Sequence, residues 1–439
     1  MSSAPGTESP APSRPEGLSL APFRGLRYVP ERVSGLASVT SPPYDVVVRP
    51  DEQLHLETSD PHNVVRLILP QGEDPAARHE QAAARLRRWQ SEGVLAADPE
   101  PALYVYEQRA EGMLQRGLIG ALRLTPKEEG IVLPHEDVMP GPVADRAGLM
   151  RATAANLEPL LLAYRGGQAA AETVERTVLQ EPLLCTTTED GIRHRLWALT
   201  DPAVITAVRE DLARRHALIA DGHHRWATYL RLQEEHGGPG PWDRGLVLLV
   251  DTERYPLRVR AIHRVLYRLP PERALTVLAA SPGFRVREVD GPLPAALDAL
   301  GAAAATGNAF LLAGDGGFRI LTGNGSDPGS PAATALPGGA AHADKPPAWH
   351  RLDATVLHNV LLDRVWQVPD SPDHVGYLHD AAAAVAKAEE SGGTAVLLHP
   401  VSEQVVLELA RRGTTMPRKS TSFGPKPATG LVIRSLELD

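Results

Sequence analysis

Apolar positions recur along this chain with two different periods, and the alternation between them predicts its elements. In "DPAARHEQAAARLRRWQSEG", Asp74 to Gly93, Leu86 and Trp89 fall on one face of a helical period, Asp74 stands at the N-cap, Pro75 at the first helical position and Gly93 past the end. "DPAVITAVREDLARRH", from Asp201, repeats the Asp-Pro start with an apolar stripe of Val204, Ile205, Val208 and Leu212. "ALYVYEQRAEGMLQRGLIGALRL", from Ala102, predicts two strands joined by a glycine-containing turn. "ALIA" at Ala217 predicts a short strand, followed by a helix from about His223, a "GGPGP" loop and a buried strand "GLVLLV". Beyond Leu269, "PERALTVLAA", "LDATVLHNVLLDRVW" and "SEQVVLELARRG" predict helices, and "FRVREV", "AFLLAG", "FRILTG", "TAVLLH" and "GLVIRS" predict strands. The fold class expected is mixed α and β, an α+β arrangement.

Two stretches depart from this patterning. Residues 1–17, "MSSAPGTESPAPSRPEG", hold almost no large apolar side chain and predict a disordered tail, and residues 322–347 predict a flexible insertion rich in Gly, Pro and Ala. The body is expected to divide into a region 18–270 and a C-terminal α/β region 271–439. No internal repeat is visible.

Charge and cysteine usage narrow the function classes. Asp and Glu number 54 against 45 Lys and Arg, a net charge of −9 that disfavours sequence-independent nucleic-acid binding, and no helix-turn-helix is evident. Cys185 alone rules out a disulfide framework or a thiolate zinc site, and it is expected to be buried as a small apolar residue. With no apolar run of membrane-spanning length and no signal-like N-terminus, a cytoplasmic location is expected. The oligomeric state is left open.

The candidate chemistry begins at "LIADGHHRWATYL", Leu218 to Leu230. A strand ending at Ala220 and a helix starting near His223 place Gly222 at a tight turn, with the first N–H groups of the helix pointing above it. Such an end favours anions, and Arg225 with His223 and His224 makes a phosphate cradle of Gly222, His223, His224 and Arg225. The plain alternative is Asp221 as a helix cap beside exposed histidines and a solvated arginine. Adjacent helical histidines diverge by about 100°, which disfavours them as a metal-ligand pair. On the cradle reading, replacing Arg225 weakens nucleotide binding while the fold survives.

Several other clusters are candidates. "LPHED" offers Glu136 as a base or a Mg²⁺ ligand, or as part of a solvated acidic loop. "SPPYDVV" aims Tyr44 and Asp45 from a rigid diproline turn, or ties Asp45 to nearby backbone. "HNVVRL" carries Asn63 and, inside what reads as an apolar strand, Arg66, whose anionic partner is substrate or a structural carboxylate. "RATAANLEP" places Arg151 and Asn156 at a helix end, with Asn156 read as its C-cap. "IHRVL" contributes His263 and Arg264 as substrate-binding candidates. "MPRKSTSFGPKPATG" sets Lys419, Ser420, Thr421 and Lys426 in a Pro- and Gly-containing loop that can wrap an anion but does not match a P-loop.

Taken in order, "APFRGLRYVPERV", "SPPYDVV", "HNVVRLILP", "LPHEDVMPGPVADRAGLMRATAANLEPLLLAY", "IADGHHRWATY", "IHRVL" and "MPRKSTSFGPKPATGLVI" resemble the domain-of-unknown-function 1015 family over about Ala21 to Leu436. Within it, "DGHHR" is similar to the nucleotide-binding turn of the ParB and sulfiredoxin superfamily, especially its free serine kinases. That resemblance implies a ParB/sulfiredoxin-like core with additional α/β segments, binding ATP or ADP with Mg²⁺. It also implies transfer of a phosphoryl group to a small-molecule hydroxyl such as that of L-serine. In this picture Asp221 and Glu136 hold the metal, and Glu136, Asp221, His223 and His224 serve catalysis. Phosphates are held by Gly222 to Arg225 with Lys419, and substrate by Asp45, Asn63, Arg66, His263 and Arg264. Sulfiredoxin proper uses a cysteine in this turn, where this chain has histidine, so sulfinic-acid chemistry is disfavoured. Two alternatives accompany the kinase: a ParB-like nucleotide sensor without catalysis, and a nucleotide or phosphate-ester hydrolase.

Overall fold

The computed structural model describes residues 17–323 and 344–439, apart from 48, 73 and 282. The tail 1–16 and the centre of the expected insertion, 324–343, lie outside the described residues. Of the insertion's flanks, Thr322 and Gly323 finish a strand and Pro347 begins a short helix, Pro347–His350. Among the described residues no helix is long and apolar enough to cross a membrane.

The chain forms two compact units that do not follow chain order with a single boundary after residue 270. One comprises Met1–Val132, Pro140–Pro256 and Pro427–Asp439, the other Leu133–Met139 and Leu257–Lys426. Both mix helices with largely antiparallel sheets, as the two periods of the sequence predict.

The sheet of the first unit contains β1 (Leu103–Ala110), β2 (Met113–Arg123), β3 (Leu160–Tyr164), β4 (Leu184–Thr187), β5 (Arg193–Leu199), β6 (Ala217–Asp221) and β7 (Arg244–Asp251). They run in the order β6-β3-β7-β2-β1-β5-β4. Only β3 and β7 pair in parallel among these, with Val247 opposite Leu160; β3 and β6 are antiparallel. Every residue of β3 and β6 is buried, which is why both read as unbroken apolar runs rather than alternating ones. Helices α1 (Pro75–Ser91), α2 (Pro140–Thr153), α3 (Pro202–Leu212) and α4 (His223–His236) belong to this unit. As expected from the Asp-Pro starts, the Asp74 carboxylate accepts from Ala76 and Ala77 N–H and the Asp201 carboxylate from Ala203 and Val204 N–H. Ile205, Val208 and Leu212 of the α3 stripe pack with Leu162, Ile219 and Val247 in one core cluster.

A smaller antiparallel sheet joins Leu95–Ala97, Gly25–Tyr28, Ile433–Ser435 and Ala155–Asn156 in that order. Here Arg434 is fully buried and spends all its donors. Nη1 reaches Asn156 Oδ1 (2.9 Å) and Arg244 O (2.7 Å), Nη2 reaches Pro241 O (2.7 Å), and Nε reaches Asp439 Oδ2 (2.7 Å). Asn156 is therefore not the helix C-cap expected from sequence. It sits in a strand, its Oδ1 accepting from both Arg434 and Leu246 N–H (3.2 Å).

In the second unit β8 (Arg258–Ala261), β9 (His263–Leu266), β10 (Phe284–Val289), β11 (Ala309–Ala313), β12 (Phe318–Gly323), β13 (Val375–Leu378), β14 (Thr394–Leu398) and β15 (Thr421–Gly424) form two antiparallel sheets. One is ordered β10-β12-β11-β14-β9-β13 and the other pairs β8 with β15. The helix expected over "LDATVLHNVLLDRVW" is one α-helical turn, Asp353–Val356, continued by a π-helix, Leu357–Val365. Leu357, Leu361, Leu362 and Trp366 reach the unit's core from it.

Candidate functional site

The strand-to-helix turn forms as the sequence predicts. β6 ends at Asp221 and α4 begins at His223, its first bond running from Trp226 N–H to Gly222 O (2.9 Å). Gly222 adopts φ +97°, and a Cβ there meets Leu160 Cγ at 2.8 Å, so both backbone and space demand glycine. As the N-cap of α4, Gly222 offers no side chain of its own to the first N–H groups. His223 and His224 are half-buried. The helix end keeps the polarity that suits an anion.

Arg225 lies underneath, not in solvent. It is 1% exposed, its Nη2 donates to Asp221 Oδ2 (2.7 Å), its Nη1 to Pro159 O (3.2 Å), and Glu158 Oε1 is 3.9 Å away. The expected phosphate grip of this side chain is thus replaced by an internal ion pair that closes over the Gly222 turn, from the last residue of β6 to the first turn of α4. Tyr44 lies between two guanidiniums, 4.6 Å from Arg146 and 5.7 Å from Arg225 to its ring centre. Its N–H donates to Glu158 Oε1 (2.9 Å), which fixes the diproline turn, and Asp45 acts electrostatically on Tyr44, Glu158 and Arg225. Arg146 is further held by Asp145 and by Ile68 O (2.6 Å).

The electrostatics follow from burial. Desolvation pulls the Arg225 pKa down, but Glu158, Asp221 and Asp45 more than offset it and leave it raised. For Glu158, desolvation wins over Arg225 and the Tyr44 N–H, and its pKa is raised. Burial lifts Tyr44 to about 12 against the pull of Arg225. Three carboxylates, Asp45, Glu158 and Asp221, therefore share two guanidiniums behind one helix end.

The remaining candidates separate into groups. Asn63 is fully buried and structural: its Nδ2 donates to Ser38 O (2.8 Å) and its Oδ1 accepts from Val65 N–H (2.9 Å). Arg66 is in a short helix, Val65–Ile68, instead of the expected strand, and donates to Glu57 O (2.6 Å) with the Glu57 carboxylate at 4.0 Å. Its anionic partner is thus a carboxylate of the fold. Arg151, in the last turn of α2, pairs with Glu235 (2.5 Å). Cys185 is exposed, correcting the expected burial, and accepts from Arg193 Nε at 3.3 Å.

In the second unit, Glu136 and Lys419 are brought together, the Lys419 N–H donating to Glu136 Oε1 (3.2 Å), while the Lys419 side chain is exposed. His263 is buried in β9, where its Nδ1 accepts from Leu398 N–H (3.2 Å), and burial lowers its pKa to about 4. Arg264 beside it is fully buried. Among the described residues no group of three or more His, Cys, Asp or Glu is placed to hold a metal ion. Asp221 Oδ2 accepts from Arg225, and Glu136 Oε1 accepts from the Lys419 N–H.

Sequence reading missed Glu158 and Arg146. The available signal was a charged residue next to Pro159, immediately before the five-residue apolar run of β3.

Comparison with known proteins places these features in a family. No curated protein matches the chain. Among solved structures, the chain is similar to a free serine kinase variant in complex with AMP, at 15% identity over 70% of this chain and 90% of that one, with a TM-score of 0.36. It is similar to a conserved hypothetical protein from Pyrococcus furiosus at 15% identity over 70% and 94%, with a TM-score of 0.35. A further likeness is to C-terminally truncated SbnI from Staphylococcus aureus, at 10% identity over 73% and 89%, with a TM-score of 0.37. The family model described as a protein of unknown function, DUF1015, matches residues 20–355, and the chain belongs to that family.

Proposed function

We propose that the chain binds a nucleotide through its phosphates at the N-terminus of α4 and transfers a phosphoryl group to the hydroxyl of a small molecule, an amino acid such as L-serine being the first acceptor to test. The observation that carries this reading is the turn itself. Gly222 leaves no Cβ in the way and, as the N-cap, brings no side chain of its own to the helix start, and the Asp221–Arg225–Glu158 network holds the turn from behind. The resemblance of "DGHHR" to the free serine kinases supports the same assignment.

In this reading the backbone at Gly222, His223 and His224 orients the phosphates, and the two imidazoles supply polar groups at their edge. Arg225 acts as a positioning residue, keeping Asp221 and the turn in register. Mg²⁺ would arrive on the nucleotide's phosphates, where it neutralises charge, since this ion commonly keeps water and phosphate ligands with only one or two carboxylates. Asp45, whose charge acts on Tyr44, Glu158 and Arg225 at this turn, is the carboxylate to test as acceptor of the hydroxyl proton.

Phosphorus NMR of the protein with Mg²⁺, ATP or ADP and a panel of amino acids and polyols separates the outcomes. A phosphorylated acceptor supports the kinase, free phosphate indicates hydrolysis, and nucleotide-dependent stabilisation without turnover indicates a sensor. In the kinase case, converting the proton-accepting carboxylate to its amide, Asp45→Asn, lowers kcat about a hundredfold with nucleotide affinity nearly unchanged. Unchanged kcat in this variant removes this part of the mechanism. Gly222→Ala, which adds a Cβ where Leu160 already stands, is expected to abolish nucleotide binding in calorimetric titration; retained affinity would move the phosphate site elsewhere.

A further inference from the structure

The second unit contains a buried cation that the reading above does not use. Arg264 is fully buried in β9, its guanidinium 4.7 Å from the centre of the Tyr377 ring. Nη1 donates to Ile262 O. The other edge, Nε and Nη2, points at a single acceptor, His358 Nε2, at 3.3 and 3.1 Å. Among the described residues Arg264 forms no direct ion pair with a carboxylate. Asp370 acts on it electrostatically and is tied to its neighbours: the Tyr377 hydroxyl donates to its Oδ1 (2.8 Å), and His358 Nδ1 lies 3.7 Å from its Oδ2. Glu136 acts on Arg264 electrostatically, while its Oε1 takes the Lys419 N–H.

A buried guanidinium whose Nε–Nη2 edge is served by one neutral lone pair is a costly arrangement. The Nε–Nη2 edge is the side of an arginine that takes two oxygens of a carboxylate or phosphate at once, and here one imidazole nitrogen faces both donors. That imidazole comes from the π-helix Leu357–Val365, a form of backbone often found where a side chain is brought to a functional position. The ring is not sealed in: its side chain keeps 14% exposure. Arg418, exposed, acts electrostatically on both His358 and Tyr377 and supplies a second positive charge at this place.

We propose that the second unit binds a small oxyanion, a carboxylate or phosphate group, in the Nε–Nη2 fork of Arg264, and that the His358 imidazole fills this fork until the anion displaces it. The site stands independently of the nucleotide reading, because each residue it uses lies in the second unit. Its logic makes an unusual demand. A displaceable side chain reduces apparent affinity by the fraction of time that it blocks the fork, so removing the ring tightens binding.

The test is calorimetric titration of the full chain, without nucleotide, with inorganic phosphate and separately with succinate. His358→Ala is expected to bind at least one of them roughly tenfold more tightly than the unaltered chain, and the gain is lost when Arg264→Lys is added, since an ammonium lacks the fork. Which anion responds identifies the group. Unchanged or weaker binding in His358→Ala makes the ring a wall or a ligand instead of a plug and overturns the proposal. Should that variant not fold, imidazole NMR of the unaltered chain decides. The His358 ring signal must move saturably with one anion, and a ring signal that stays fixed through the titration overturns the site.

Discussion

Arg225→Met is expected to lower the stability of the nucleotide-free protein by about 3–5 kcal/mol, the usual cost of removing one member of a buried ion pair. The side chain is 1% exposed, and without it Asp221 and Glu158 remain buried beside Asp45 with one guanidinium, Arg146, in place of two. This reverses the expectation from sequence, in which a solvent-facing Arg225 costs only nucleotide affinity when removed. Arg225→Lys is expected to fall between, because an ammonium keeps the charge but cannot serve Asp221 Oδ2 and Pro159 O together. Urea unfolding without nucleotide measures both. Adding Asp221→Asn to Arg225→Met should recover part of the loss by removing the stranded charge. A native-like unfolding midpoint in Arg225→Met would show that the network contributes no stability, and would return the side chain to direct phosphate binding.

The second large effect concerns acid. His194 in β5 is buried, stacked on Tyr106 with ring centres 6.0 Å apart, and both its nitrogens are engaged. Tyr106 Oη lies 2.8 Å from Nδ1 and itself accepts the Ala428 N–H (3.2 Å), so its own hydrogen is directed to Nδ1; Nε2 is 3.0 Å from Thr188 Oγ1. The neutral ring suits these partners. Burial lowers its pKa from 6.5 to about 4, with Asp190 opposing. Because the folded value is depressed, the unfolded chain binds the proton first as pH falls. The stability associated with neutral His194 is complete above about pH 6.5 and is lost as pH drops towards 4.

Converted, this shift is worth about 2–3 kcal/mol after allowance for the exposed part of the ring. Other groups titrate nearby: His263 with the same sign, and Asp353, raised to about 6 by burial, with the opposite sign. The clean measurement is therefore a difference. The stability gap between the unaltered chain and His194→Gln should shrink by that amount between pH 7 and pH 4 in urea unfolding. A gap independent of pH would mean that the ring takes up its proton equally in the folded and unfolded states and that burial does not shift it.

Much of the fold was legible because its signals are local. Asp-Pro at a helix start needs only the N–H groups two and three residues on, and the Gly222 turn needs only its own φ and a neighbouring Leu160. What was lost depends on partners distant in the chain. Arg66 was read in a strand because four apolar-flanked residues carry no decisive period, and Val65–Ile68 is a single helical turn. The direction of the Arg225 side chain depends on Glu158 and Tyr44, brought together across more than a hundred residues. The π-helical stretch around His358 has the composition of an ordinary helix. Of the candidate site, the backbone turn was thus readable and the buried charge network behind it was not.

The clamp formed by Arg434 also has a meaning for the order of events during synthesis. The partners it completes, Asn156, Pro241 and Arg244, leave the ribosome well before it does, because the whole stretch 257–426 must be translated in between. At the usual pace of elongation that delay is roughly ten to thirty seconds. Throughout it Gly25–Tyr28 lacks Ile433–Ser435 along one edge, and the oxygen acceptors meant for a guanidinium face water or one another. Of these two units, the one that carries Gly25–Tyr28 is hence completed after the other has been translated, and until then it keeps an open strand edge.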